Sequence, residues 1–368
     1  MTNILRALSA SGAVAEGPEL WAWGRNAFGG LGLGNLTLYS SPVQVAQVVW
    51  ASVAGGFRHT VALQTDGTLW ATGRNNNGEL GVGNTTQYSS MIQVGALTNW
   101  ATVSAGYACS LAVKTDGTLW SWGSNTAGRL GLGNTTDYSS PVQVGALTNW
   151  STAIISIGHV VAIKTDGTMW SWGKGSLGRL GLGNTTNYSS PKQIGALTTW
   201  AFAYACNYHS LAVKTDGTLW AWGKGGFGQL GFGGTGNYSS PKQVGALTNW
   251  ATTSGGEQQS IAVKTDGTLW SWGGGQYGDL GSGATTSRSS PVQVGALTNW
   301  ATVATSRVHS IARKTDGTMW SWGNNASGRL GLGNATNYSS PKQIGALTTW
   351  ASSGAGSDFS FGVTTDPT

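Results

Sequence analysis

The chain has 368 residues, of which only 9% are charged, with 59 glycines and 20 tryptophans. Low charge and abundant glycine would suit a disordered segment, but twenty indoles, each removing about 150–250 Å² from water when buried, belong to a packed protein. The net charge of +6 is spread without a basic run, so nucleic acid is not the expected partner, and no apolar stretch approaches the length of a membrane-spanning helix.

The first sixteen residues, MTNILRALSASGAVAE, hold one arginine, and Ala13-Val14-Ala15 bears a faint likeness to a cleavage site. Arg6 interrupts the apolar stretch, so a removed signal peptide is not expected. Residues 1–16 are expected to be a docking or assembly segment, placed on the protein's own surface or on a neighbouring subunit, and residues 17–368 a single domain. With no export or anchoring signal, the expected location is cytoplasmic or virion-associated.

From there a period of fifty residues dominates. Trp recurs at 50, 100, 150, 200, 250, 300 and 350, and Thr-Asp-Gly-Thr at 65, 115, 165, 215, 265 and 315. Within one copy, Trp100–Gly106 and Ser110–Lys114 are short β-prone runs. Thr115-Asp116-Gly117-Thr118 carries the Asp-Gly signature of a tight hairpin turn, and Leu119-Trp120-Ser121-Trp122 follows with both indoles on one face. A long Gly-rich loop leads to a strand that starts at Pro141, which suits an outer edge. Four short strands, repeated seven times, predict an all-β fold: a seven-bladed β-propeller with four-stranded blades. The repeat begins in its third strand at Leu20 and ends after its second near Val363, so the closing blade should be shared between the two ends of the chain.

The pattern Gly56-x-x-His59-x-x-Ala62-Leu63-x-x-Asp66-Gly67, continued by Gly73-x-Asn75-x-x-Gly78-x-Leu80-Gly81-x-Gly83, resembles the regulator of chromosome condensation repeat family over roughly residues 17–368. That resemblance implies the same propeller fold and a structural, hydrogen-bonding role for the repeat histidine. The family's functions diverge: members include a chromatin-bound exchange factor for a nuclear GTPase, a plant ultraviolet photoreceptor and a secreted bacterial inhibitor of β-lactamases. The uninterrupted copies are most similar in architecture to the inhibitor. They lack an insertion of the kind with which the exchange factor engages its GTPase, and the tip Gly56-Phe57-Arg58-His59-Thr60 lacks the tryptophans of the photoreceptor.

In such a blade the links between strands one and two, and between three and four, emerge on one side of the disc. The near-identical TDGT and GALTNW segments belong to the other side. On the first side the copies diverge, which makes Arg25, Phe28, Phe57, Arg58, Arg74, Tyr107, Lys174, Tyr208, Lys224, Phe227, Glu257, Tyr277, Arg307 and Asp358 the candidate partner-binding residues.

The four histidines, His59, His159, His209 and His309, share one repeat position, and equivalent positions on adjacent blades lie too far apart to converge on one metal ion. Asp66, Asp116, Asp166, Asp216, Asp266 and Asp316 are accounted for by their turns, and Lys114 and its equivalents by charge balance with those aspartates. Cys109 and Cys206 lie in separate copies and are not expected to pair. No acid/base pair, nucleophile triad, metal site or cofactor loop stands out. The expected function is therefore a non-enzymatic binding or structural module that recognises a protein or glycan through its variable face, for example on a virion or cell surface. The alternatives are an exchange-factor-like regulator of a small GTPase and a propeller-type enzyme inhibitor.

Overall fold

A computed structural model describes residues 17–46 and 48–365; residues 1–16, expected to be a docking or assembly segment, lie outside the described residues. Among the described residues, twenty-eight strands form seven four-stranded antiparallel sheets. The blade opening at Trp100 is representative, with strands Trp100–Ala105, Cys109–Lys114, Leu119–Gly123 and Tyr138–Gln143 from the inside outward. We refer to each blade by its opening tryptophan.

The Trp350 blade is the composite one. Its strands run Trp350–Ala355, Phe359–Thr364, Leu20–Gly24 and Tyr39–Gln44 from the inside outward, with Leu20 opposite Val363 and Trp23 opposite Ser360. Pairing the two ends of the chain inside one sheet closes the ring and removes its open edge.

The apolar core lies between blades. Leu111, Val113, Leu119 and Leu130 of the Trp100 blade pack with Trp150 and Trp172 of the next, all buried. Six of the seven third strands place two indoles on one face, as period two demands, and the Trp50 blade has Thr72 for the second; Trp172 is fully buried and Trp170 half-buried. Trp150 meets both in edge-to-face contacts, with ring centroids 6.1 and 5.9 Å away.

Two local details differ from the sequence expectation. The outer strand begins at Tyr138 rather than Pro141, and Pro141 lies inside it. Tyr138 pairs with Gly123 and Val142 with Ser121, so the register shifts across Ser139-Ser140-Pro141. Proline has no N–H to give the ladder, and the strand bulges where it would be needed. The repeat lysines go beyond the expectation. Besides their charge coupling to the turn aspartates, the lysines meet indoles: the ammonium of Lys114 lies 3.9 Å from the Trp120 ring centroid and 4.9 Å from that of Trp100, and Lys164, Lys214, Lys264 and Lys314 repeat the arrangement. The aspartates are occupied in their own turns: Asp116 Oδ1 accepts from the Thr118 N–H at 2.9 Å and the Thr118 hydroxyl at 2.7 Å, and Trp120 Nε1 donates to that hydroxyl. These bonds hold the turn carboxyls below the ordinary aspartate range.

Among the described residues no helix is long and apolar enough to cross a membrane.

Candidate functional site: the variable face

A repeated main-chain anchor supports this face. The loop between the third and fourth strands of one blade crosses to the next, where Gly133 N–H donates to Ser189 O at 2.7 Å. The residue just before the loop's invariant Leu offers its carbonyl to the following blade. Glu79 O accepts from both Ser110 Oγ (2.8 Å) and Trp122 Nε1 (2.9 Å), and Arg179 O likewise from Ser210 and Trp222.

The histidines join this anchor. His59 Nε2 lies 2.9 Å from Ser110 Oγ; His159, His209 and His309 reach Ser210, Ser260 and Ser360 at 2.8 Å. Because each of these serines gives its single proton to a carbonyl, the imidazole must donate, which fixes the Nε2–H tautomer. Burial pushes the histidines down, to about 3 for His59 and His209, so the rings are neutral. Cys109 supplies no imidazole, and the next blade has Val160 in place of the serine. Both polar partners are lost together, which leaves no unpaired hydroxyl. Cys109 and Cys206 are free and buried.

The tips between first and second strands surround a central pit of about 90 Å³, lined in part by Phe57, Tyr107, Ile157, Asn207, Arg307 and Ser357. Phe57 and Tyr107 stack with centroids 4.5 Å apart, and Arg58 lies over Phe28 (4.5 Å) and Phe57 (4.9 Å). Arg307 pairs with Glu257 at 2.8 Å, Arg25 with Asp358 at 3.5 Å, and Arg74 with Glu79 at 3.8 Å. Lys224 lies over both Tyr208 and Phe227, while Lys174 and Tyr277 are exposed. The candidate residues thus fall into three groups: an aromatic and arginine cluster on the Trp350, Trp50 and Trp100 blades, a cationic cluster on the Trp150 and Trp200 blades, and the Glu257–Arg307 pair. Tyr277 stands apart from all three.

Charge is uneven between the two sides of the disc. Arg25, Arg58, Arg74, Arg129, Lys174, Arg179, Lys224, Arg307 and Arg329 lie on the variable side, against Glu79, Asp137, Glu257, Asp279 and Asp358.

Sequence reasoning missed one ring of residues. The position before the invariant Leu is buried yet reads Glu79, Arg129, Arg179, Gln229, Asp279 and Arg329 in successive blades. The signal was available: the first letter of x-Leu-Gly-x-Gly ranges over glycine, glutamine, aspartate, glutamate and arginine, while the second varying letter is mostly apolar. The arginines reach under the next blade's tip, Arg129 Nη1 to Ile157 O at 2.8 Å and Arg179 Nη1 to Asn207 O at 2.9 Å. Asp279 has no cation within 4.0 Å among the described residues, and burial raises its carboxyl to about 7.

Two non-glycine residues of these loops, Ala127 (φ 61°) and Leu177 (φ 66°), are left-handed. Holding alanine there costs about 1–2 kcal/mol, more than the ~0.4–1 kcal/mol of chain entropy that glycine adds to the unfolded state. Ala127→Gly is therefore expected to raise stability by about 0.5–1 kcal/mol, read as a higher urea midpoint.

Comparison with known proteins agrees with the geometry. The RCC1-like domain profile matches residues 100–362, and the regulator of chromosome condensation (RCC1) repeat matches 19–63 and 66–113. No curated protein matches the chain. Among solved structures, Prp20p from Saccharomyces cerevisiae, described with its binding to Gsp1p and histones, is 21% identical, with 97% of this chain and 93% of that one covered and a TM-score of 0.83. Human WBSCR16 is 20% identical, with 95% and 100% covered and a TM-score of 0.84. Yeast RCC1 (Prp20) bound to Kap60 is also 20% identical, with 100% and 96% covered and a TM-score of 0.84. At these identities the likeness is one of fold. Seven blades, the shared closing sheet and a profile match across most of the chain together establish that this protein belongs to the RCC1-like domain family.

Proposed function

We propose that the protein is a non-catalytic binding module that recognises a protein partner through the variable side of its disc. One observation carries this reading: the blades are anchored to one another through main-chain carbonyls of the loops, so the side chains above are free to differ, and they differ toward aromatic, arginine and asparagine residues. Such residues make adaptable contacts on a rigid frame. The yeast relative's described binding to Gsp1p and histones supports a protein partner in kind. The breadth of the face, fed by all seven blades, favours a protein over a glycan. Placement on a virion or cell surface belongs to the same proposal, as does assembly through residues 1–16.

The test compares native protein with a version in which all the variable tips are replaced by the Trp100 blade's sequence. A melting curve confirms that the altered disc folds. Selective capture of one protein by the native form supports the reading, and equal capture by both forms overturns it.

A further inference from the structure

Pairing on the variable face is uneven. Arg25 and Arg329 share Asp358, Arg74 has Glu79, and Arg307 has Glu257. Between the Trp150 and Trp200 blades the pairing stops. Lys174 and Arg179 come from one loop and Lys224 from the next. Among the described residues no carboxylate lies within 4.0 Å of any of the three.

The cluster is built around Tyr208. The Arg179 guanidinium carbon is 5.1 Å from its ring centroid, and Lys224 Nζ is 5.0 Å from it and 5.1 Å from that of Phe227. Arg179 is held in place: Nε donates to Ser176 O at 3.0 Å, Nη1 to Asn207 O at 2.9 Å, and Nη2 to Ser176 Oγ at 3.2 Å. Burial lowers its pKa to about 10, which marks the cost of keeping that charge without a counter-ion. Lys174 is exposed, and Phe227 retains 39% of its surface. Leu177, between Lys174 and Arg179, adopts the left-handed conformation that side chains avoid. Arg58 and Arg129 also lack carboxylate partners, but here three such cations meet beside an exposed ring, on a face where Arg25, Arg74, Arg307 and Arg329 are paired, and the complement of that surface is negative.

We propose that this sector binds a carboxylate-rich segment of a protein partner, with its aspartate or glutamate side chains on Lys174 and Lys224 and an apolar side chain of the same segment on Phe227. The proposal rests on the reading of the variable side as the binding surface. Single-stranded nucleic acid fits less well: Asp137 and Glu257 on the flanking blades interrupt the continuous positive track that an extended phosphate backbone needs.

The experiment uses the full chain and fluorescence anisotropy with three labelled probes: a short glutamate–leucine peptide, its glutamine–leucine counterpart and single-stranded DNA of equal length. Wild type is compared with K174Q/K224Q and with K192Q/K342Q, which removes two exposed lysines from the outer strands. Wild type and the outer-strand variant should bind the acidic peptide, more weakly as salt rises, while K174Q/K224Q should lose about tenfold or more. Should the double variant fail to melt cooperatively, Lys174→Gln alone, at an exposed position, carries the comparison. Unchanged binding by the variant, equal losses from both lysine pairs, or tighter binding of the DNA would overturn the proposal. A partner captured equally by wild type and K174Q/K224Q, but lost with the tips, would sink this assignment while leaving the face itself as the binding surface.

Discussion

Gly181→Ala is expected to lower the stability of the protein by about 2–5 kcal/mol, visible as a large fall in the urea midpoint. Gly181 has φ of 73°, and an added methyl would lie 2.8 Å from Trp222 Nε1. That indole is fully buried, and its N–H donates to Arg179 O at 2.9 Å. Relief would require moving either the indole or the loop that carries the anchor carbonyl. Left-handed alanine costs about 1–2 kcal/mol and overpacking about 1–3 kcal/mol more. Gly195→Ala is the control. Its φ is 61°, but nothing lies within 4 Å of the new methyl, so only the conformational cost of about 1 kcal/mol should appear. Equal losses at the two positions would show that the contact with Trp222 does not matter.

Asp279→Asn is expected to stabilise the protein at alkaline pH. Burial raises the Asp279 carboxyl from 3.8 to about 7. A raised carboxyl is protonated in the folded state while the unfolded chain is already ionised, so stability falls as pH climbs from about 4 to about 7 and stays low beyond. The full difference is on the order of 4 kcal/mol, an upper bound because local relaxation softens it. Asparagine removes the charge and keeps an oxygen for the Tyr277 N–H, which Asp279 Oδ1 now accepts at 3.4 Å. The gap in melting temperature between variant and wild type should therefore widen between pH 4.5 and 8. The turn aspartates do not blur the comparison. Their carboxyls are lowered by the Thr bonds, so their contribution is lost only as pH falls below the ordinary aspartate range. A constant gap across that window would mean that Asp279 reaches water.

Much of this architecture was legible because the repeat repeats its physics. Asp-Gly turns, paired indoles and the split first and last copies each specify a strand, a face or a closure, and the blades follow. The position of the outer strand was misjudged because proline was taken as a start signal, whereas Tyr138 and Val142 pair on either side of a bulge. The charge coupling of the lysines to the turn aspartates was legible, but their contacts with indoles of two different strands were not, because only the fold brings those together. The anchor itself could not be read at all: Glu79, Arg179 and Asp279 have nothing in common as side chains, and what they share is a carbonyl oxygen. The clustering of Lys174, Arg179 and Lys224 around Tyr208 likewise required two loops and one tip to meet.

The composite Trp350 blade also sets an order of events. Glu19 N–H donates to Thr364 Oγ1 at 3.0 Å across 345 positions of chain, and Leu20–Gly24 has no inner neighbour until Phe359–Thr364 has been synthesised. During translation six blades can form in succession, each as its own hairpins emerge. The seventh exists only as an outer pair until Trp350–Ala355 and Phe359–Thr364 emerge. A nascent chain halted before Phe359 would hold nearly all of its sheet and still be an open ring.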